Sequence, residues 1–160
     1  MRPKPALASI LTGLALLVCT CGGIRAASKK YNLRKMTLVY AVLGKVRTRY
    51  VNPNRVDPKK MLRKALNNIQ RKVPEVIVRK KGPSKVEIQV DDNKKMFKIS
   101  DVGSPWDLTR KLEKIFVFIQ NNLRPETKRQ DVEYAAVDGI LDTLDPHSVL
   151  MRPAFFRQME

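Results

Sequence analysis

His147 is the only histidine in the chain, and it stands between Asp145 and Ser148. A carboxylate, an imidazole and a hydroxyl are the residue types of nucleophilic catalysis, in which a base activates the hydroxyl and an acid orients the base. Four neighbouring positions cannot by themselves set nucleophile, base and oxyanion donors around a cleft, so the expected role of this cluster is a structural turn. Asp145 and Ser148 offer side-chain oxygens to free backbone amides, while Pro146 removes a donor and pushes Asp145 out of the α region. A second group, Asp138, Asp142 and Asp145, has spacings of four and three residues that could line one helix flank and bind a cation. The sequence supplies no second ligand cluster, so a solvated flank is expected, with no metal and no cofactor. A third group is basic. Arg79, Lys80, Lys81 and Lys85 border one turn and Lys94 and Lys95 border the next, where they either meet a polyanion or form a solvated charged surface.

These groups need elements to hold them. Val132, Ala135, Ala136, Ile140, Leu141 and Leu144 recur at helical spacing, which predicts a helix with one buried stripe ending near Leu144. Pro153 suits the first position of a further helix that contains Phe155, Phe156 and Met159. That helix is too short to bury its two phenylalanines, so the expectation is of a longer parent chain.

Met36, Val39, Tyr40, Leu43, Val46 and Tyr50 follow helical spacing from about Asn32 to Tyr50. Asn52-Pro53-Asn54 ends that helix, and Asp57 followed by Pro58 predicts the start of another reaching Lys72. Together they predict a helical hairpin over 31–72, with the six-residue stripe as a dimer face. Three strand-like runs follow, at 75–79, 85–90 and 95–99, separated by turn residues at 81–84 and 91–93. Ser104 and Asp107 make a capping-box pair ahead of Leu108, Leu112, Ile115, Phe116, Phe118 and Ile119, which predicts a helix to about Leu123. The expected fold class is α+β: an N-terminal helical hairpin, then a small three-stranded antiparallel meander covered by a helix as an insert at 73–123, then C-terminal helices at 124–160.

Residues 1–27 have basic Arg2 and Lys4, an apolar run from Ala6 to Val18 and small residues to Ala27. This is a secretory signal pattern, with cleavage after Ala26 or Ala27; an uncleaved anchor, or lipidation at Cys19 or Cys21, are the alternatives. Both cysteines lie in this segment, so the remainder has no disulfide framework. The expected location is therefore exported, periplasmic or in the cell envelope. The formal net charge is +17, and it is carried by the first half: nineteen basic against five acidic residues from Tyr31 to Ser100, eight against ten from Asp101 to Glu160. For an exported chain an anionic membrane surface or envelope polymer fits that charge better than nucleic acid does, since no base-stacking aromatic pattern accompanies it.

The string Leu144-Asp145-Pro146-His147-Ser148, with Pro153 and Phe156 after it, resembles the turn that precedes the PDZ domain in carboxyl-terminal processing (tail-specific) serine peptidases. Val46, Tyr50, Val51, Asp57, Leu62 and Ala65 are similar to the same family's first helix, Tyr-Val turn and second helix. The family joins its second helix directly to the turn, whereas here the segment from Asn68 to Asp131 intervenes. Nothing in the chain resembles the PDZ domain or the core that carries the family's Ser nucleophile and Lys base, so no catalytic residue is transferred. The resemblance implies the N-terminal portion of an exported serine endopeptidase, serving targeting, self-association and the lead into a PDZ domain, with polypeptide substrates only where a catalytic core is attached. The alternative is a secreted, non-catalytic basic adaptor for an anionic envelope component.

Overall fold

The computed structural model describes residues 31–145 and 147–158; the expected signal segment, with Cys19 and Cys21, lies outside the described residues. The helical spacing that begins at Asn32 is interrupted at Met36, whose backbone is left-handed at φ 46°. Leu33–Lys35 form a 3-10 turn capped by the Asn32 side chain, and α1 runs separately over Thr37–Arg49. A left-handed methionine costs about 1–2 kcal/mol. Here the cost is offset because the bend buries both Leu33 and Met36 completely.

α2 (Pro58–Lys72) starts where its cap predicts: Asp57 Oδ1 accepts from the Lys60 amide at 3.0 Å, with Pro58 at the first helical position. The strands β1 (Val76–Lys81), β2 (Lys85–Val90) and β3 (Asn93–Lys98) form an antiparallel sheet in the order β1-β2-β3. Gly82, at φ 75°, makes the first turn in a conformation that strains other residues, and Asp91 makes the second at φ 53°. Lys81 is therefore paired in β1 rather than in the turn, and the second turn is tight enough that Asn93 and Lys94 already belong to β3.

α3 (Pro105–Asn122) has the full capping box: the Asp107 amide donates to Ser104 Oγ at 3.2 Å, and Asp107 Oδ2 accepts from the Ser104 amide at 3.1 Å. The Ser104 hydroxyl and then the Arg110 guanidinium hold the Asp107 carboxyl down to about 2. The inner face of the sheet presents Val76, Val86, Ile88, Val90 and Phe97. α2 packs along β1, with Gln70 Oε1 accepting from the Val78 amide at 2.6 Å, while Phe118 of α3 meets Phe97 edge-on at 5.9 Å. The meander is thus covered by two helices.

α4 (Arg129–Leu141) corrects the one-stripe expectation. Val132, Glu133, Tyr134, Ala135, Ala136, Val137, Gly139 and Ile140 are all buried, so the helix is enclosed on nearly every side. α2 is its main partner and α1 also packs on it. The expected hairpin at 31–72 is opened accordingly, since α1 and α2 both turn their apolar sides to α4 rather than chiefly to each other. Buried residues of the 73–123 segment join those of α1, α2 and α4 in one hydrophobic cluster, so that segment shares its core with its flanks. α5 (Pro153–Phe156) is a single turn with Phe155 and Phe156 exposed. No helix of the described residues is long and apolar enough to cross a membrane.

Candidate functional site

The Asp145 turn is held from within. Asp145 Oδ1 accepts from the His147 amide at 2.9 Å, and Oδ2 accepts from the Ser148 hydroxyl at 2.7 Å. The Ser148 hydroxyl, followed by the backbone amides, holds the Asp145 carboxyl below the usual carboxylate range. Ser148 thus donates its proton to an aspartate, and the imidazole of His147 lies exposed, which is the arrangement of an Asx-type turn and not of a nucleophile facing its base. Arg55 Nη1 donates to the Leu144 carbonyl at 3.0 Å and ties the turn to the loop before α2. Pro146 lies outside the described residues.

Of the three carboxylates at 138, 142 and 145, Asp138 lies on α4 and the other two follow its end. Burial, more than any neighbour, pushes the Asp138 carboxyl up, with Arg152 opposing the shift and Asp142 adding to it. Among the described residues no group of three His, Cys, Asp or Glu side chains is placed to hold a metal ion. The carboxylate that is fully buried is one that periodicity does not single out. Glu133 is fully buried, and its Oε1 accepts from the Leu38 amide at 2.7 Å and the Val39 amide at 3.1 Å, while its Oε2 accepts from the Tyr31 hydroxyl. Met36, the residue before α1, provides no side-chain cap, so Glu133 caps that helix from across the core and meets the positive end of its dipole. The absence of Ser, Thr, Asn or Asp at position 36 is the sequence signal for a cap supplied from elsewhere.

The expected dimer face is divided by the fold. Met36 and Val39 are fully buried in the chain's own core and are not available to a partner, whereas Leu43 is largely buried but still lines the groove beside α1. Tyr40 is 48% exposed, and Val46 and Tyr50 are half-buried. These join Trp106, 64% exposed at the start of α3, along a groove of about 400 Å³ lined by Tyr40, Gly44, Arg47 and Trp106, with Val46, Tyr50 and Val56 in its extension. The Arg47 guanidinium lies 6.0 Å from the Trp106 ring centre.

Strand register sorts the basic residues onto opposite sides. Val86 and Ile88 point to the core, so their partners Lys80 and Lys95 share the inner side, where Lys95 Nζ sits 5.7 Å from the Phe97 ring centre and 5.9 Å from that of Phe118. Arg79, Lys81, Lys85 and Lys94 are on the outer side. Lys98, which sequence reasoning missed, joins them because it pairs with Lys85; its alternation with Phe97 is the signal that finds it. Lys81, Lys85 and Lys98 consequently form one row across all three strands, and like charges opposite one another destabilise a sheet. Glu87 is the only carboxylate in the paired positions of that face; Arg79 approaches it at 3.3 Å and Lys81 at 3.8 Å. Lys85, Lys94 and Lys98 have no ion-pair partner among the described residues, so this face holds unneutralised positive charge suited to an anion.

Compared with protein-family models, curated proteins and solved structures, the chain matches none of them.

Proposed function

We propose that this chain is the non-catalytic N-terminal portion of an exported serine endopeptidase similar to the carboxyl-terminal processing proteases. It would serve targeting, self-association and the lead into a PDZ domain. The observation that carries this reading is the Asp145 turn: the string that resembles the family's pre-PDZ junction is a self-braced turn at the end of a buried helix, followed by a segment whose Phe155 and Phe156 are exposed. Proteolysis belongs to this reading only through an attached Ser/Lys core. The purified 160-residue chain is expected to leave casein intact, whereas the product of the reading frame continued past Glu160 hydrolyses it. Casein cleavage by the chain alone would overturn the non-catalytic assignment, and a stop codon after Glu160 with no PDZ or Ser/Lys sequence downstream would overturn the peptidase assignment.

Self-association in this reading uses what remains of the first-helix stripe, Tyr40, Val46 and Tyr50, together with Trp106. Sedimentation velocity is expected to show a dimer that the Tyr40→Asp/Trp106→Asp double variant converts to monomer with its circular dichroism unchanged. A parent that is monomeric, or a variant that still dimerises, removes this face from the proposal.

A second reading, a basic adaptor for an anionic envelope component, is favoured by the outer face of the sheet. The row Lys81, Lys85 and Lys98 brings together three like charges of which only Lys81 has an ion-pair partner among the described residues, and an opposing anion would relieve their repulsion. The two readings are compatible, since an N-terminal portion of an exported enzyme can also hold it at a charged surface.

A further inference from the structure

The outer face of the sheet is not purely polar. Ile77 and Met96 lie on it, 37% and 48% exposed, within a field of Arg79, Lys81, Lys85, Lys94 and Lys98. Met96 is directly opposite Glu87 on β2, next to the row of three lysines, and Ile77 shares a row with Gln89 and Lys94. A soluble polyanion needs only the cations. Exposed isoleucine and methionine among them match the layered chemistry of an anionic bilayer, where phosphates lie at the surface and acyl chains begin just beneath.

From this face, and resting on the anion-binding reading above, we infer that the sheet docks flat on an anionic lipid bilayer. Lys81, Lys85 and Lys98 meet lipid phosphates while Ile77 and Met96 enter the headgroup layer. The opposite end of the sheet sets the limit of the contact. Asp91 and Asp92 form the β2–β3 turn, and Asp91 is already bridged to Arg124 at 3.0 Å. Asp101, just beyond β3, is bridged to Lys111 at 2.9 Å, with Lys98 a weaker influence on its carboxyl. The positive charge is therefore concentrated toward the β1–β2 turn, where Arg63 of α2 also reaches the Pro83 carbonyl at 3.0 Å.

The test uses the full chain with equimolar phosphatidylglycerol–phosphatidylcholine vesicles, pure phosphatidylcholine vesicles and dextran sulfate. Since residues 1–30 carry an apolar run that can bind vesicles independently, the reporter is placed on the sheet: Trp106→Phe combined with Met96→Trp. Its emission is expected to shift to the blue with the mixed vesicles and to stay unchanged with pure phosphatidylcholine. Adding Lys85→Glu and Lys98→Glu is expected to weaken that response by roughly fivefold or more per lysine, the scale expected for a lysine at an anionic surface. Unchanged far-ultraviolet circular dichroism confirms that each variant is folded. Lysine-dependent binding of dextran sulfate without any blue shift would overturn the bilayer inference and leave the anion-binding reading intact. Loss of neither vesicle nor dextran sulfate binding on charge reversal would overturn both.

Discussion

Glu133→Ala is expected to lower the stability of this chain by about 3 kcal/mol, because two charge-assisted hydrogen bonds to the first turn of α1 are lost and their buried amides find no water. Oε1 receives the Leu38 and Val39 amides and Oε2 the Tyr31 hydroxyl, so one side chain on α4 satisfies donors from two separate segments. Some of the loss is returned, since removing a buried charge also removes its desolvation cost. Glu133→Gln keeps the shape and one strong acceptor, and about 1 kcal/mol is expected for it. The check is urea denaturation, with a shift in midpoint at constant slope. An alanine variant with an unchanged midpoint would show that α1 needs no cap from α4.

The same cluster makes stability depend on pH at the alkaline end. Burial, and then the hydrogen bond to Glu133, push the Tyr31 hydroxyl above its ordinary value of 10.0. The unfolded chain ionises this tyrosine first, so the contribution is complete below pH 10 and is lost as pH rises through the higher folded value. Tyr31→Phe is expected to remove that part of the alkaline decline, which paired melts of parent and variant on either side of pH 10 would read.

Gly139→Leu is expected to cost about 3 kcal/mol or more, and Gly139→Ala about 2 kcal/mol, because even one added carbon meets the main chain of α2. A Cβ at this position would lie 2.5 Å from the Lys64 carbonyl oxygen, 2.7 Å from its carbon and 2.8 Å from the Ala65 Cα. Backbone atoms cannot rotate away as a side chain can, so α2 must move off α4. That movement would also pull Asn68 Nδ2 from the Ala135 carbonyl, which it meets at 2.9 Å inside the same contact. The thermal midpoint should fall by on the order of 10 °C for the leucine variant. Gly44, in the middle of α1 with open space where its Cβ would be, is the control. There alanine is expected to stabilise by up to about 1 kcal/mol through helix propensity. Equal effects at the two glycines would refute the close-approach explanation.

Much of the secondary structure is legible because it is enforced locally. Asp57-Pro58 and Ser104-Pro105 state helix starts in side-chain chemistry that acts within four residues, and both starts are where they are expected. The β1–β2 turn is readable for the same reason, since Gly82 accepts a backbone that other residues resist. The kink at Met36 was not readable. A methionine has no local reason to adopt a left-handed conformation, and its stability there comes from core contacts distant in sequence. α4 departs from expectation for a related reason: Val132, Ala135, Ala136 and Ile140 read as one buried stripe, yet Gly139, outside that stripe, is what lets α2 approach it closely.

The candidate sites divide along the same line. The Asp145 turn could be anticipated from five consecutive residues, because Asp145 accepts from the His147 amide two positions on; Ser148, expected to offer its oxygen to an amide, instead donates its hydroxyl to Asp145. The apolar stripe of the first helix could also be listed, but its hydrophobicity does not say whether a partner or the chain itself covers it. Complete burial in the chain's own core answered that for Met36 and Val39.

By itself, then, the sequence determined the α+β class, the capped helix starts, the meander and the self-braced turn, all properties of short-range backbone and side-chain chemistry. Only the tertiary structure decided that Glu133 caps a helix roughly a hundred positions away, that Gly139 admits α2, and that Lys98 rather than Lys80 or Lys95 completes the basic face. Those outcomes depend on register and on which apolar surfaces meet, and such long-range pairing is set by the free energy of the whole core and not by any local run of residues.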